Sequence, residues 1–418
     1  MTGTPHPNHW IRLALAAAAV LAVTLGTRLS LGLFVSPLNT ATGLGIASIS
    51  LAMAVNQFVW GAIQPVAGAV ADRYGPGRVL VAALILQAVG LLLTPLMHST
   101  PGLSLVLGVL MAAGTGSGAF SVLIGAIAQR LPPQHRGMSA GIINAGGSVG
   151  QFLFAPLVQG LILFSGWVGA LCGLAFITLC ALPLARILKR PASITSARMH
   201  AAEQGGERLS SVLRTALRDR SYLLLHAGFF TCGFHIAFLV THLPGEVSLC
   251  VLPAGVASGS LAVIGLFNIL GSLTAGWLVQ HLRSKLILVW LYGARAAMVL
   301  LFLASPRTSA SFYLFAAGLG ATWLATVPPT AGVVSKLFGN RYLSTLFGLT
   351  LLSHQIGGFL GAWLGGLALA RWNSLTPMWW ADMGLAAFAA LVNLPIREPE
   401  IGRVENISAQ TALTTSKS

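Results

Sequence analysis

The chain has 418 residues, of which 55% are hydrophobic and only 8% charged, and its formal net charge is +15. Soluble domains carry about a quarter charged residues, so most of the surface of this protein must face lipid. The positive charges stand in short gaps between long apolar runs, a distribution that excludes a nucleic-acid-binding surface. The four cysteines show no metal-type spacing and no nucleophile–base arrangement is present, so we expect no metal, no cofactor and no enzyme.

Twelve apolar segments follow one another along the chain, each long enough to cross a bilayer as a helix of about 20 residues. The first, from about Ile11 to Leu38, is too long for the apolar core of a signal peptide. The predicted spans 1 to 12 are 11–37, 46–70, 79–97, 103–129, 138–163, 167–188, 221–243, 254–279, 286–304, 309–334, 343–369 and 376–396. The sequence therefore predicts an all-α membrane protein.

The spans divide into two sets of six, separated by a polar segment. We predict an N-terminal bundle (1–188), a central linker (189–220), a C-terminal bundle (221–397) and a disordered tail (398–418). The linker is rich in Arg, Ser, Ala and Glu, which suits either an amphipathic helix on the membrane surface or a solvated connection.

The loop Lys and Arg residues are distributed unequally between the two sides of the membrane. Nearly all lie on the side of the N-terminus, and only Arg307 and Arg371 lie on the other. Because positive loops stay in the cytoplasm, both termini and the linker are predicted to be cytoplasmic. We expect a monomer in a bacterial cytoplasmic membrane.

The two halves of the chain echo each other at an offset of about 206 residues. The segment 110–116, Leu-Met-Ala-Ala-Gly-Thr-Gly, resembles 314–320, Leu-Phe-Ala-Ala-Gly-Leu-Gly, and 150–153 resembles 357–360. Such a repeat predicts two pseudo-symmetric bundles related by an axis along the membrane normal.

The loop between spans 2 and 3, residues 68–78, reads Gly-Ala-Val-Ala-Asp-Arg-Tyr-Gly-Pro-Gly-Arg. It resembles the signature of the major facilitator superfamily: Gly, three residues, Asp-Arg, one residue, Gly, then basic residues. The resemblance implies a transporter of twelve helices and a gating role for Asp72, Arg73 and Arg78, in which the loop locks one conformation by docking on helix ends of the other half. A carboxylate such as that of Asp72 is stabilised at the positive end of a helix.

Three further segments resemble the monocarboxylate porter and oxalate:formate antiporter branch of that superfamily. They are Arg-Leu-Ser-Leu-Gly-Leu-Phe at 28–34 with Pro37, Gly-Thr-Gly-Ser-Gly at 114–118, and Ser-His-Gln-Ile-Gly-Gly at 353–358. This likeness implies alternating-access transport of a small organic anion, coupled to protons or to a counter-anion. Better-known members carry a basic residue in span 8, where this chain has Asn268.

Two other functions are considered. One is efflux of a drug or an amphipathic metabolite, although the Gly-Pro motif that drug:proton antiporters carry in span 5 is missing. The other is a non-transporting receptor, which would need a cytoplasmic domain larger than residues 189–220.

Charged residues inside a membrane are costly and suggest function or pairing. In the major facilitator architecture, spans 1, 4, 7 and 10 line the central cavity. Arg28 in span 1 is therefore a candidate anion site, because guanidinium binds carboxylates in a bidentate manner. Arg295 and Asp382, at similar depth in the peripheral spans 9 and 12, are predicted to form a structural ion pair.

Uncharged polar side chains complete the predicted substrate site. His235 lies opposite Arg28 in the repeat, where a protonated ring would help to bind the anion at a shared Arg28–His235 site and a neutral ring would bond a backbone carbonyl instead. Gln57, Asn144 and His354 follow the inward faces of their helices, and Asn268 is the polar residue of span 8. Gln57 and Asn144 would bond either the substrate or neighbouring helices. The glycines of span 11 predict close helix packing.

Overall fold

The computed structural model describes residues 9–128, 133–188, 209–339 and 343–398, and all regular secondary structure within these ranges is helical. Nine of the described helices are long and apolar enough to cross a membrane. One of them, Met138–Ile187, contains spans 5 and 6. Spans 11 and 12 are long helices outside those nine, because polar residues such as Gln355 and Asp382 lower their hydropathy. The twelve-helix fold is confirmed.

The first half contains several interrupted helices. Span 1 comprises His9–Leu29, a 3-10 turn (Leu31–Phe34) and Val35–Thr42; span 2 is Ile46–Tyr74; span 3 is Pro76–Leu93; span 4 comprises Thr100–Leu103, a π-helical stretch (Ser104–Met111), Ala112–Ser117 and Phe120–Ala128; spans 5 and 6 are Pro133–Cys180 with Leu182–Ile187. Gly166, with φ of 71°, turns the chain between spans 5 and 6 in a conformation that suits glycine.

The second half follows the same plan with longer unbroken helices. Span 7 is Arg220–Leu249; span 8 is Ala254–His281; span 9 is Ser284–Ala304; span 10 comprises Ser309–Trp323, a 3-10 turn (Leu324–Thr326) and Val327–Phe338; span 11 is Leu343–Trp372; span 12 is Thr376–Asn393. The predicted and observed bounds mostly differ by a few residues. Span 7 differs more, because its helix continues through Pro244 instead of ending at 243.

The central segment is partly helical. Residues Leu209–Ala216 form a short helix in which Val212 and Leu213 pack against the core and Ala216 is buried. This portion of the predicted linker is therefore helical and packs against the protein, and its location at the membrane surface stays a prediction. Residues 189–208 lie outside the described part of the chain.

Glu398 was predicted to begin the tail, and the structure corrects this assignment. Its buried carboxylate accepts hydrogen bonds from the backbone N–H groups of Ser284 (2.9 Å) and Lys285 (2.8 Å) and pairs with Lys336 at 2.6 Å. The first N–H groups of a helix lack intrahelical partners, so an acidic side chain is stabilised at the start of span 9. Residues 399–418 lie outside the described residues.

Glycines allow close helix packing inside each half. A Cβ at Gly150 of span 5 would collide with the backbone of Ala22 in span 1, and a Cβ at Gly357 of span 11 would collide with the backbone of Phe230 in span 7. The two contacts occupy corresponding positions of the sequence repeat. The packing of span 1 on span 5 is thus repeated as span 7 on span 11.

The halves meet through spans 1 and 7, 2 and 11, and 5 and 8. The close contacts are at mid-depth and on the side away from residues 9 and 398, which we call the far side; the opposite side is the termini side. They include Gly32 against Val240, Gly265 against Ser148 and Gly366 against Ser50. The far side is therefore closed.

The termini side of the same helix faces is open. Glycines two or three helical turns further along those faces have no neighbouring heavy atom within 4 Å of a Cβ position, and they are Gly68, Gly141, Gly276 and Gly348. Residues seven or eleven apart lie on one face of a helix, so these positions continue the contacting faces. The two halves therefore separate toward the termini side.

Candidate functional site

A cavity with about 1070 Å³ of empty space lies between the two halves. Its lining comes from spans 1, 2, 5, 7, 8, 10 and 11, and the described residues of span 4 contribute none of it. This corrects the expectation that spans 1, 4, 7 and 10 form the wall. Span 4 is interrupted at Gly118, but its described helices pack against spans 2 and 3 and do not reach the cavity wall.

Arg28 lies in this cavity at the end of the first helix of span 1, where a cation suits the negative end of the helix dipole. Its Nη2 donates a hydrogen bond to Gln57 Oε1, and its guanidinium carbon lies 4.3 Å from the centroid of the Trp60 ring. Gln57 Nε2 in turn donates to Gln355 Oε1 at 2.8 Å. Arg28 Nε is buried without a partner in the described residues. The guanidinium is held in place but keeps a donor free.

Asn268 joins three spans at one edge of the cavity. Its Nδ2 donates to Gln151 Oε1 of span 5 at 3.3 Å, and its Oδ1 accepts from the backbone N–H of Leu324 at 3.1 Å, where the 3-10 turn of span 10 begins. Gln151 Nε2 and the hydroxyl of Ser148 have no partner in the described residues. These unpaired buried donors can hydrogen-bond a ligand or water.

Asn144 is not part of the cavity wall. It lies one helical turn from Ser148 toward the termini side and is half-buried. It therefore borders the opening between the halves.

His354 lines the cavity, as predicted from span 11. Its ring centroid lies 4.9 Å from that of Phe229, and its Nδ1 has no partner in the described residues. It lies beside Cys232, a cavity residue that sequence interpretation assigned to packing. Cys232 shares a helix face with Phe229 and Ile236, and this spacing is the signal that would have identified it.

The structure places His235 away from the cavity, so the expected shared Arg28–His235 site is not formed. His235 does not line the cavity, and it lies on the opposite side of span 7 from Val240, which is near the centre of the cavity-facing surface of this helix. Its Nδ1 lies 2.5 Å from Asp382 Oδ2 of span 12, and both side chains are buried. The two atoms are close enough for an ion pair but are not aligned as a hydrogen bond.

The predicted ion pair of Arg295 with Asp382 is wrong. Arg295 instead donates to the carbonyl oxygens of Thr322 (2.5 Å) and Trp323 (3.1 Å) and to Cys232 Sγ (3.1 Å). The helix of span 10 ends at Trp323, and its last carbonyls lack intrahelical donors. The guanidinium of Arg295 supplies those donors. The prediction rested on the similar depth of Arg295 and Asp382 in spans 9 and 12, and depth does not indicate such a role.

The predicted gating residues lie at the open side. Arg73 and Arg78 are exposed, and the guanidinium of Arg73 lies 5.3 Å from the Tyr74 ring. The side chain of Asp72 lies outside what the structure describes. The docking of this loop on the other half stays a prediction.

The chemistry of the cavity is cationic. Among its described lining residues, Arg28 is the only Lys, Arg, Asp or Glu, while Gln57, Asn268, Gln151, Ser148 and His354 add neutral polar groups. No group of metal-ligating side chains occurs in the described ranges. The site can bind an anionic group, with apolar surface around it.

A membrane protein made of two six-helix halves, with a polar cavity between them that is open toward one side, is built as a transporter and not as an enzyme. The model of the Major Facilitator Superfamily matches residues 16–362, and the chain belongs to this family. The resemblance of the loop at 68–78 is thereby confirmed.

Several relatives extend the comparison. The chain is 29% identical to monocarboxylate transporter 13 of Rattus norvegicus over 325 residues, covering 76% of this chain and 71% of that protein. It is 22% identical to the oxalate:formate antiporter of Oxalobacter formigenes over 384 residues, covering 88% and 87%. The likeness to that branch is confirmed.

A solved structure shares the fold. The xylose transporter XylE from E. coli, in an inward open conformation, matches with a TM-score of 0.71 and 15% identity, over 96% of this chain and 99% of that one. At this identity the match concerns the fold alone.

Proposed function

We propose that the protein is a secondary transporter of a small organic anion, of the monocarboxylate type, working by alternating access. The observation that carries this proposal is Arg28: a buried guanidinium with a free donor, in a cavity whose described lining contains no carboxylate. An anion would neutralise this charge and accept its hydrogen bonds. The curated names of two relatives, a monocarboxylate transporter and an oxalate:formate antiporter, agree with this chemistry.

The remaining wall suits the organic part of such a substrate. Leu29, Met53, Trp60, Phe229 and Trp323 surround the polar groups with apolar surface. Gln57, Ser148 and His354 are placed to fix the orientation of a carboxylate or a neighbouring hydroxyl. Ligand sites commonly combine apolar walls with a few polar groups in this manner.

In the transport cycle, the cavity would open alternately to the two sides of the membrane, with the other side closed each time. The far side is sealed at Gly32 and Val240, and the halves are separated on the termini side. With the termini in the cytoplasm, as the loop charges indicate, this conformation faces inward. We place the protein in a bacterial cytoplasmic membrane as a monomer, with Asp72, Arg73 and Arg78 closing the cytoplasmic side in the opposite conformation.

Arg28 substitutions in proteoliposomes test the substrate class. Uptake of radiolabelled formate, lactate and oxalate is measured for the wild type, Arg28→Lys and Arg28→Ala. We expect Arg28→Ala to lose about tenfold to a hundredfold in transport, since a hydrogen bond to a charged group contributes about 1.5–3 kcal/mol. Arg28→Lys should retain part of the activity, because it keeps the charge without the planar fork.

Arg371→Ala is the matched control, because it removes an exposed arginine outside the cavity and should leave transport unchanged. Transport that survives Arg28→Ala at the wild-type rate would remove the reason for an anionic substrate. Efflux of an amphipathic drug or metabolite would then become the leading function.

A further inference from the structure

A buried pair of titratable side chains outside the substrate cavity lies between spans 7 and 12. His235 Nδ1 and Asp382 Oδ2 are 2.5 Å apart, and the two side chains are 1% and 0% exposed. Asp382 Oδ1 and His235 Nε2 have no hydrogen-bond partner in the described residues. The pair is therefore isolated from both water and other polar groups.

The charge state of this pair follows from its burial. An ionised Asp382 beside a neutral histidine would leave an unpaired negative charge inside the membrane, which is costly. One additional proton removes that charge, either on Nδ1, giving an imidazolium with a carboxylate, or on Oδ2, giving a neutral imidazole with a carboxylic acid. Both forms hold one proton more than the pair of ionised Asp382 and neutral His235, and both have no net charge.

Other titratable groups lie on the helices packed around the pair. Span 7 itself carries Arg220, Tyr222, His226, Cys232, His242 and Glu246, and span 9 carries Lys285, Tyr292 and Arg295. Span 11 carries His354 and Arg371, span 1 carries Arg12 and Arg28, and spans 8 and 10 carry His281, Tyr313 and Lys336. The described helix of span 12 has no other besides Asp382. None of these makes a hydrogen bond or ion pair with Asp382 in the described residues. Arg295 of span 9, which contacts Cys232 of span 7, donates to the carbonyls of span 10.

We propose that His235 and Asp382 form the proton-binding site of the transporter, so that the coupled ion is a proton; this rests on the proposed anion transport. The physical link is span 7. Cys232 and Ile236 on this helix line the substrate cavity, and Val240 and Thr241 form the far-side seal against Gly32. A movement of span 7 that opens the seal changes the surroundings of His235, and the proton and the anion thereby share one conformational equilibrium.

Proton-driven uptake and exchange are compared in proteoliposomes containing the full chain. With the outside acidic, wild-type accumulation of the best transported of formate, lactate and oxalate should approach about tenfold per pH unit for one proton per anion. In the double variant His235→Gln/Asp382→Asn, which removes both charges together, gradient-driven accumulation should be lost. Exchange of labelled against unlabelled anion at equal pH should continue.

His242→Gln is the matched control: His242 is a second buried histidine of the same helix, but its Nε2 contacts the Ala362 carbonyl at 2.7 Å instead of a carboxylate. The His242→Gln variant should keep both gradient-driven accumulation and exchange. Asp382→Glu, which retains a carboxylate, should keep gradient-driven accumulation. Accumulation by the double variant equal to the wild type would overturn the proposal. So would a wild type that exchanges the anion but does not respond to the gradient.

A measurement without substrate separates this proposal from the proposed function. If the pair binds a proton in the folded protein, the pH dependence of the unfolding temperature should differ between the wild type and the double variant. Parallel profiles would exclude the proton site whichever substrate is carried. If no carboxylate is transported but the profiles diverge, the substrate class alone is wrong.

Discussion

Arg28 and Arg295 are both buried arginines, but their hydrogen bonding differs. Every contact of Arg295 is made to protein atoms that need a donor, chiefly the terminal carbonyls of the first helix of span 10. Arg28, which lines the cavity, has one protein acceptor, Gln57, and a buried Nε without a partner in the described residues. Arg295 therefore acts in structure, and Arg28 is the group left for a ligand.

A double-mutant cycle on stability distinguishes the observed partner of Asp382 from the predicted one. The losses of unfolding free energy from Asp382→Asn and Arg295→Gln should add to within about 0.5 kcal/mol, because the residues do not interact directly. The losses from Asp382→Asn and His235→Gln should not add, with a coupling of about 0.5–3 kcal/mol, since each single change leaves the other group unpaired.

Unfolding of the purified variants in mixed detergent micelles supplies these free energies. Coupling between positions 295 and 382, with additivity between 235 and 382, would restore the originally predicted pair and contradict the structure.

At the level of helices, the interruptions of spans 1 and 10 occur beside the cavity. Asn268 of span 8 accepts from the N–H of Leu324, the first residue of the 3-10 turn Leu324–Thr326 in span 10, and Arg295 of span 9 bonds the carbonyls just before that turn. The turn of span 1, Leu31–Phe34, packs on span 7. Broken helices at a binding site expose backbone groups and provide places where a span can bend.

Gly32 in the turn of span 1 should be essential for closing the far side. Its missing side chain lets the backbone approach Val240, and a Cβ there would overlap the Val240 carbonyl oxygen. Gly32→Ala should therefore favour the conformation that is open on the far side and slow transport by about tenfold or more, in proportion to about 1.4 kcal/mol or more of destabilisation of the closed seal.

The check is labelling of Ala237→Cys, a buried residue on the cavity side of the seal, by an impermeant maleimide added from the far side, in a background lacking the four native cysteines. Labelling should accelerate with Gly32→Ala. Gly384 is an exposed position of span 12 where an added Cβ would meet no atom, so Gly384→Ala should change neither the labelling rate nor the transport rate. Unaltered labelling and transport with Gly32→Ala would show that the seal lies elsewhere.

Across the whole molecule, the two halves repeat their packing but differ in their charges. The repeated glycine contacts of spans 1 and 5 and of spans 7 and 11 keep the bundles alike. Arg28 belongs to the first half, whereas the His235–Asp382 pair is internal to the second. A transporter with this division could bind an anion between the halves and a proton within one of them.

The membrane orientation predicts where a label can reach. Ser196 lies in the central segment, which the distribution of Lys and Arg predicts to be cytoplasmic. In a cysteine-free background, Ser196→Cys should resist a membrane-impermeant maleimide added to intact cells and should react in inside-out vesicles. The Arg307→Cys variant should react with the maleimide in intact cells and resist it in inside-out vesicles. Efficient labelling of Ser196→Cys from outside would invert the proposed topology.

The sequence alone predicted the number of spans, the division into two halves and the polar residues inside the membrane that could have a role. The bilayer makes this possible, because an apolar stretch of about 20 residues has one favourable arrangement and a buried charge such as Arg28 or Asp382 is costly enough to attract notice. The repeat likewise indicated the paired packing, since glycines recur at corresponding positions. These features are local or periodic along the chain.

Only the tertiary structure decided which polar groups meet. His235 and Asp382 are far apart in sequence, and whether a residue faces the cavity or a peripheral helix depends on the rotation of each helix, which a uniformly apolar span does not encode. Arg295 was assigned to Asp382 on depth alone because the end of the span 10 helix at Trp323, with its unpaired carbonyls, has no signal in composition. Partner choice in a membrane interior follows from distance, orientation and unmet hydrogen bonds, and these exist only once the helices have packed.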